Sequence, residues 1–368
     1  MTDLSPRLTS GQIQLFAGST MLLALVGLIW LSAAPMPRMR TGAANAKVPK
    51  VRIIQLPDPL DAKRPVTLRE ELRRRPDGLY ADPDGSFEPA PPKESDRKRG
   101  FSITEQSGDP CAPPDTGSGM FTKWNPASPV GVYSLPRDAG VAANGDFDLL
   151  IHFHGHDLAR LTFVQANVPM VMLGVQRKRG MDWRTQLGGP EAYRHLVDAM
   201  EQTLGRVLSR EVKARRVALA AWSGGYEAIS TLLEQSLDVD ADAVILLDGL
   251  HVARRPEVAV FQLRPFVVLG HRALKNEVFV FATHSSVVPD GYASTTESTH
   301  RWLAALTTRP LRVARTDPPG MPLIHAFSHG SLHVRGYAGG GKPDHCVQLS
   351  LYPAALRGLA AWRKARGR

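Results

Sequence analysis

Six short apolar-rich runs constrain this chain most: Val130–Leu135, Phe147–His154, Pro169–Val175, Val217–Trp222, Ala243–Leu247 and Val278–Ala282. A strand with one face in water alternates polar and apolar residues. Runs that stay apolar on both faces belong to a sheet covered on both sides. Between and after them lie stretches with helical periodicity at 190–208, 226–237, 296–306 and 353–365. In the first of these, Pro190 suits an opening turn, and Tyr193, Leu196, Val197, Met200 and Leu204 mark a buried stripe. Strands alternating with amphipathic helices predict an α/β domain with a doubly wound, mostly parallel sheet over residues 106–368. No internal repeat is visible.

The first hundred residues read differently. From Leu8 to Pro37 there is no Asp, Glu, Lys or Arg, and the centre runs Leu22-Leu23-Ala24-Leu25-Val26-Gly27-Leu28-Ile29-Trp30. A helix of that length spans a bilayer core of roughly 30 Å, and Trp30 suits its interfacial end. Residues 1–37 are therefore expected to be a transmembrane signal anchor. Ser32 and Ala34 resemble a signal-peptide cleavage site, but Pro35 disfavours the cut, and Ala44-Asn45-Ala46 lies far from the apolar centre. Residues 38–105 read as a charged Pro-rich linker, since ten of the 29 prolines fall between residues 36 and 100. A single N-terminal apolar segment commonly exports the domain attached to it, so the domain that follows is expected outside the cytoplasm. The basic residues after the segment (Arg38, Arg40, Lys47, Lys50 and Arg52) argue for the opposite orientation.

A formal net charge of +10 invites a nucleic-acid reading. Half of that excess lies in residues 36–100, where 15 Lys and Arg face 10 Asp and Glu. The remainder is diluted over the large domain, so no nucleic-acid partner is expected. Two cysteines, Cys111 and Cys346, are too few for a zinc-finger array; in an exported domain they can pair.

One turn carries chemistry. The strand ending at Trp222 runs directly into Ser223-Gly224-Gly225 and a helix, giving Ala221-Trp222-Ser223-Gly224-Gly225. This is the G-x-S-x-G nucleophile elbow with Ala in the first position: small residues allow a sharp reversal that exposes the serine hydroxyl. The helix N-terminus then supplies a backbone N–H and a favourable dipole for an oxyanion. About seventy residues earlier, His152-Phe153-His154-Gly155-His156-Asp157 ends a strand in a His-Gly turn that can aim another backbone N–H at a carbonyl. His152, His154 and His156 alternate, and on one strand face they could hold zinc. The turn role already claims His154-Gly155, so no metal is assigned.

From about Trp124 onward the chain resembles the α/β-hydrolase superfamily, in particular exported bacterial serine esterases. The residues that carry the resemblance are the His154-Gly155 turn and the Ala-Trp-Ser-Gly-Gly elbow, followed by acid and histidine in the expected order. The resemblance implies a Ser-His-acid mechanism without cofactor, acting on small or polymer-linked acyl substrates. It implies Ser223 as nucleophile and Gly155, His156 and Gly224 as oxyanion hole. Two residues compete for the acid. Asp248 ends a buried strand and is preferred; Asp290, in a Pro-Asp-Gly turn, holds the commoner family position. For the histidine, His345 after the Gly339–Gly341 loop is preferred over His325, His329 and His333. Ser294-Thr295-Thr296-Glu297 reads as a helix capping box. The expected activity is that of a membrane-tethered serine esterase. An amidase or peptidase with the same triad, or an inactive envelope binding module, is the alternative.

Overall fold

The computed structural model describes residues 111, 115–138, 140–235, 239–317 and 320–367. The expected anchor and the whole of the expected linker lie outside the described residues. Among the described residues, no helix is long and apolar enough to cross a membrane.

In chain order the elements are β1 (Asn125–Ala127), β2 (Gly131–Ser134), β3 (Asp146–Phe153), α1 (His156–Ala166), β4 (Val171–Val175), α2 (Trp183–Leu187) and α3 (Ala192–Leu208). Next come β5 (Lys213–Trp222), a 3-10 turn at Ser223–Gly225, α4 (Tyr226–Gln235), β6 (Ala241–Leu247), α5 (Pro256–Leu274), β7 (Phe279–His284) and α6 (Thr295–Ala305). The chain continues through β8 (Leu311–Asp317), β9 (Met321–His329), β10 (Leu332–Tyr337), α7 (Lys342–Cys346), a 3-10 segment at Val347–Leu351 and α8 (Tyr352–Ala365). Among the described residues, all ten strands form one sheet, ordered β1-β2-β4-β3-β5-β6-β7-β10-β9-β8. The six central strands from β4 to β10 are parallel, and antiparallel strands close both edges.

The continuous apolar runs have their cause in two cores. Leu149, Ile151 and Phe153 of β3 face one side, with α3, α4, α5 and α6. Leu150 faces the other, with Met172, Ala218, α1 and α8. Successive strand residues point to opposite faces, so covering both faces requires apolar residues at nearly every position. Fully buried Phe163, Phe266 and Phe281 each contribute about 1.5–3 kcal/mol relative to exposure.

Charge is buried at the edge where the parallel strands begin. Arg363 of α8 forks onto Asp242 (2.9 and 2.5 Å) and reaches Asp148, which Arg216 also holds. The carboxylates thus satisfy an arginine that is 3% exposed and pin α8 to β3 and β6. This leaves the opposite edge, where the strands end, for the site.

Cys111 and Cys346 form a disulfide, with Cα atoms 4.6 Å apart. Cys346 directly follows His345, so the bridge restrains the histidine-bearing turn. Both cysteines should resist alkylation unless reduced, and Cys111→Ser should lower unfolding stability by about 2–4 kcal/mol. Two modified thiols in oxidised protein would show that the bridge is absent.

Candidate active site

Ser223 follows β5 directly and sits at φ 53°, in the left-handed region that a non-glycine residue adopts at a cost. The neighbours explain the surrounding glycines. A side chain at Gly225 would collide with the Phe153 carbonyl, and one at Gly249 would come 2.9 Å from the Ser223 carbonyl oxygen. At Gly224 an added Cβ would meet nothing within 4 Å, so that side of the elbow is open.

Asp248 ends the run out of β6, also at positive φ (44°), and its side chain is 1% exposed. Its Oδ1 accepts the Ser285 N–H at 2.8 Å and the Thr295 hydroxyl at 2.5 Å. Its Oδ2 lies 2.6 Å from His345 Nδ1. Burial opposes ionisation of this carboxyl, but the bonds from His345, Thr295 and Ser285 outweigh it and hold the group below the ordinary carboxylate range. The ionised carboxylate takes the Nδ1 proton of His345 as a hydrogen bond, which leaves Nε2 as the basic nitrogen. His345 sits in the short helix α7 rather than in a loosely held loop, with the Gly339–Gly341 turn just before it.

Trp222 joins the elbow to that helix. Its ring stacks on His345 at a centroid distance of 4.8 Å, and its indole N–H donates to the His345 carbonyl at 3.3 Å. The His154 ring stacks on Trp222 at 5.8 Å, and a Cβ at Gly155 would strike the indole at 2.7 Å. His154 and Gly155 both take positive φ (67° and 66°), which turns the chain out of β3 into α1 at His156. The N–H groups of that first helical turn form a positively polarised end.

The structure places the other candidates elsewhere. Asp290 is exposed; the Arg254 guanidinium beside it bonds the carbonyls of Pro289 and Tyr292. His329 ends β9 at the surface, and His333 pairs with the Ser328 hydroxyl at 2.6 Å. His325 faces His284 and His300. Ser294 caps α6 by accepting the Glu297 N–H at 3.0 Å, and the adjacent Thr295 hydroxyl donates to Asp248. The sequence did not mark Thr295, Ser285 or Trp222 for these roles; only the proximity of Trp222 to Ser223 hinted at one. A separate groove of about 730 Å³, lined by Arg184, Glu234, Phe261 and Arg272, holds none of Ser223, Asp248 or His345.

The strand geometry that would align His152, His154 and His156 ends at Phe153, and their rings diverge. His152 is fully buried between the Tyr352 hydroxyl (2.8 Å) and the His154 carbonyl (2.9 Å). Its Nε2–H donates to that carbonyl, so Nδ1 accepts from Tyr352. His154 packs on Trp222 and His156 on Trp124. Burial, with smaller like-charge effects from His156 and His154, lowers the His152 pKa to about 3. The folded state then excludes a proton that the unfolded chain binds below about pH 6.5, so stability falls with acidification between those two values. Urea unfolding at pH 8 and pH 5 should differ by about 2 kcal/mol more in the native protein than in His152→Asn. Equal differences would contradict the neutral, buried state of His152.

No protein-family model and no curated protein matches the chain. Solved structures give distant likenesses. A feruloyl esterase module from Clostridium thermocellum, complexed with sinapinate, is 12% identical over 73% of this chain and 93% of its own (TM-score 0.40). Esterase B from Lactobacillus rhamnosis is 13% identical over 74% and 91% (TM-score 0.41). An uncharacterised protein from Capnocytophaga ochracea is 9% identical over 63% and 61% (TM-score 0.37), so the chain spans under two thirds of it. The parallel sheet, the elbow after β5 and the His-Gly turn between β3 and α1 give the chain the fold of the α/β-hydrolases.

Proposed function

We propose that this chain is a serine hydrolase that cleaves a carboxylic ester, tethered to a membrane by residues 1–37 with its catalytic domain on the exported side. The observation that carries the activity is the Asp248–His345 hydrogen bond, held against the elbow by Trp222. Ser223 Oγ attacks the acyl carbonyl while His345 Nε2 takes its proton, and Asp248 stabilises the imidazolium. Backbone N–H groups at Gly155, His156 and Gly224 receive the developing oxyanion. His345 then protonates the departing alcohol, and water activated by the same imidazole releases the acid from the acyl-enzyme. The disulfide supports the exported side, because such bonds persist in oxidising compartments. Hydrolysis of short-chain p-nitrophenyl esters by the full-length protein, blocked by a fluorophosphonate, tests the reading; failure of both turnover and labelling would refute it.

A further inference from the structure

Three histidines from three elements converge behind the loop that holds the acid. His284 ends β7, His300 lies within α6 and His325 lies in β9. Each offers a ring nitrogen, and these ligand atoms all lie within 4.8 Å of one another. The ring centroids are 4.9 to 5.8 Å apart, with His300 edge-on to the other two. His284 Nε2, His300 Nε2 and His325 Nδ1 are all buried without a hydrogen-bond partner. One such atom costs free energy; three brought together form a donor set.

Neighbouring groups hold His284 in the matching form. The Thr296 hydroxyl donates to the Ser285 carbonyl at 2.5 Å, so its oxygen accepts the His284 Nδ1–H at 2.8 Å. That leaves a lone pair on Nε2, the support that a second hydrogen bond gives a metal-bound imidazole. Gly336 of β10 pairs with His284 on one side and His325 on the other. A side chain there would collide with the His284 ring, so glycine lets the imidazole lie across β10.

We propose that His284 Nε2, His300 Nε2 and His325 Nδ1 bind one divalent transition-metal ion of the zinc type, with a fourth position open to water. Imidazole donors suit zinc and its neighbours over magnesium or calcium. Ligand nitrogens on tetrahedral zinc stand about 3.3 Å apart, so the widest pair closes by up to about 1.5 Å on binding. The ion ties β7, α6 and β9 together. The segment between β7 and α6 carries Ser285, and α6 opens with Thr295; both donate to Asp248. The histidines are thus positioning residues for the acid and take no part in bond making.

The test uses the full-length protein in detergent, loaded with zinc sulfate, desalted and analysed by elemental mass spectrometry. About one zinc per chain is expected, and cobalt exchange should give the visible absorption of a four-coordinate site. His300→Gln and His325→Gln should each weaken zinc affinity by at least about 10-fold while circular dichroism is retained. Zinc should raise the melting temperature of the native protein but not of these variants. Ser223→Ala should keep its zinc, so this proposal and the hydrolase reading fail separately. Clearly sub-stoichiometric zinc with no cobalt absorption in the native protein would overturn the site, as would full zinc retention in both histidine variants. The native-protein spectrum decides the matter even where a variant fails to fold.

Discussion

Ser223→Ala and His345→Ala should each reduce kcat on a short-chain p-nitrophenyl ester by a factor on the order of 10³ to 10⁶. The two losses should not add in the double variant, because nucleophile and base act on the same proton. Ser223→Ala removes one oxygen from a turn whose strained backbone the glycines already accommodate, so the fold should persist by circular dichroism. His345→Ala also removes the ring stacked on Trp222 and should cost some stability. Comparing kcat at matched folded fractions separates the chemical loss from that cost. Full activity in Ser223→Ala would end the hydrolase reading.

Asp248→Asn should cost a factor on the order of 10⁴ in kcat, while Asp290→Asn should leave it within about a factor of 2. The introduced amide is nearly the same size as the carboxylate but stabilises no imidazolium. If its NH₂ faces His345, it also holds Nε2 in the protonated, non-basic tautomer. Ser285 N–H and the Thr295 hydroxyl can still bond the amide oxygen, so the strand end should keep its shape. Asp290 stands exposed in its turn. A large loss in Asp290→Asn with activity retained in Asp248→Asn would reverse the assignment.

The parts of this fold that local sequence encodes are legible in the chain itself. The apolar central strands and helices α3, α4, α6 and α8 announce themselves by periodicity, and the elbow by its small residues between strand and helix. The rest is determined by tertiary contacts. Helix α5 carries Pro265 in its interior, a signal that ordinarily ends a helix. Strand β10 reads Leu-His-Val-Arg-Gly-Tyr and looks too polar to be buried. Yet Arg335 and Tyr337 both reach the Asp317 carboxylate, and His333 reaches Ser328. The edge strand β8 exposes every second residue, Arg312, Ala314 and Thr316, because one face meets solvent. The preference for Asp248 rests on its place at a strand tip, but its supports Ser285 and Thr295 lie far along the chain. The grouping of His284, His300 and His325 is invisible for the same reason: sheet register and a helix bring them together, and no spacing motif does.

The most direct measurement is peptide mapping of the full-length protein after reaction with a fluorophosphonate. The assignment of Ser223 as nucleophile predicts one covalent adduct, on that residue, formed rapidly in the native protein and lost or slowed by orders of magnitude in His345→Ala. An adduct on another serine, or an unlabelled Ser223 in folded protein, would contradict it.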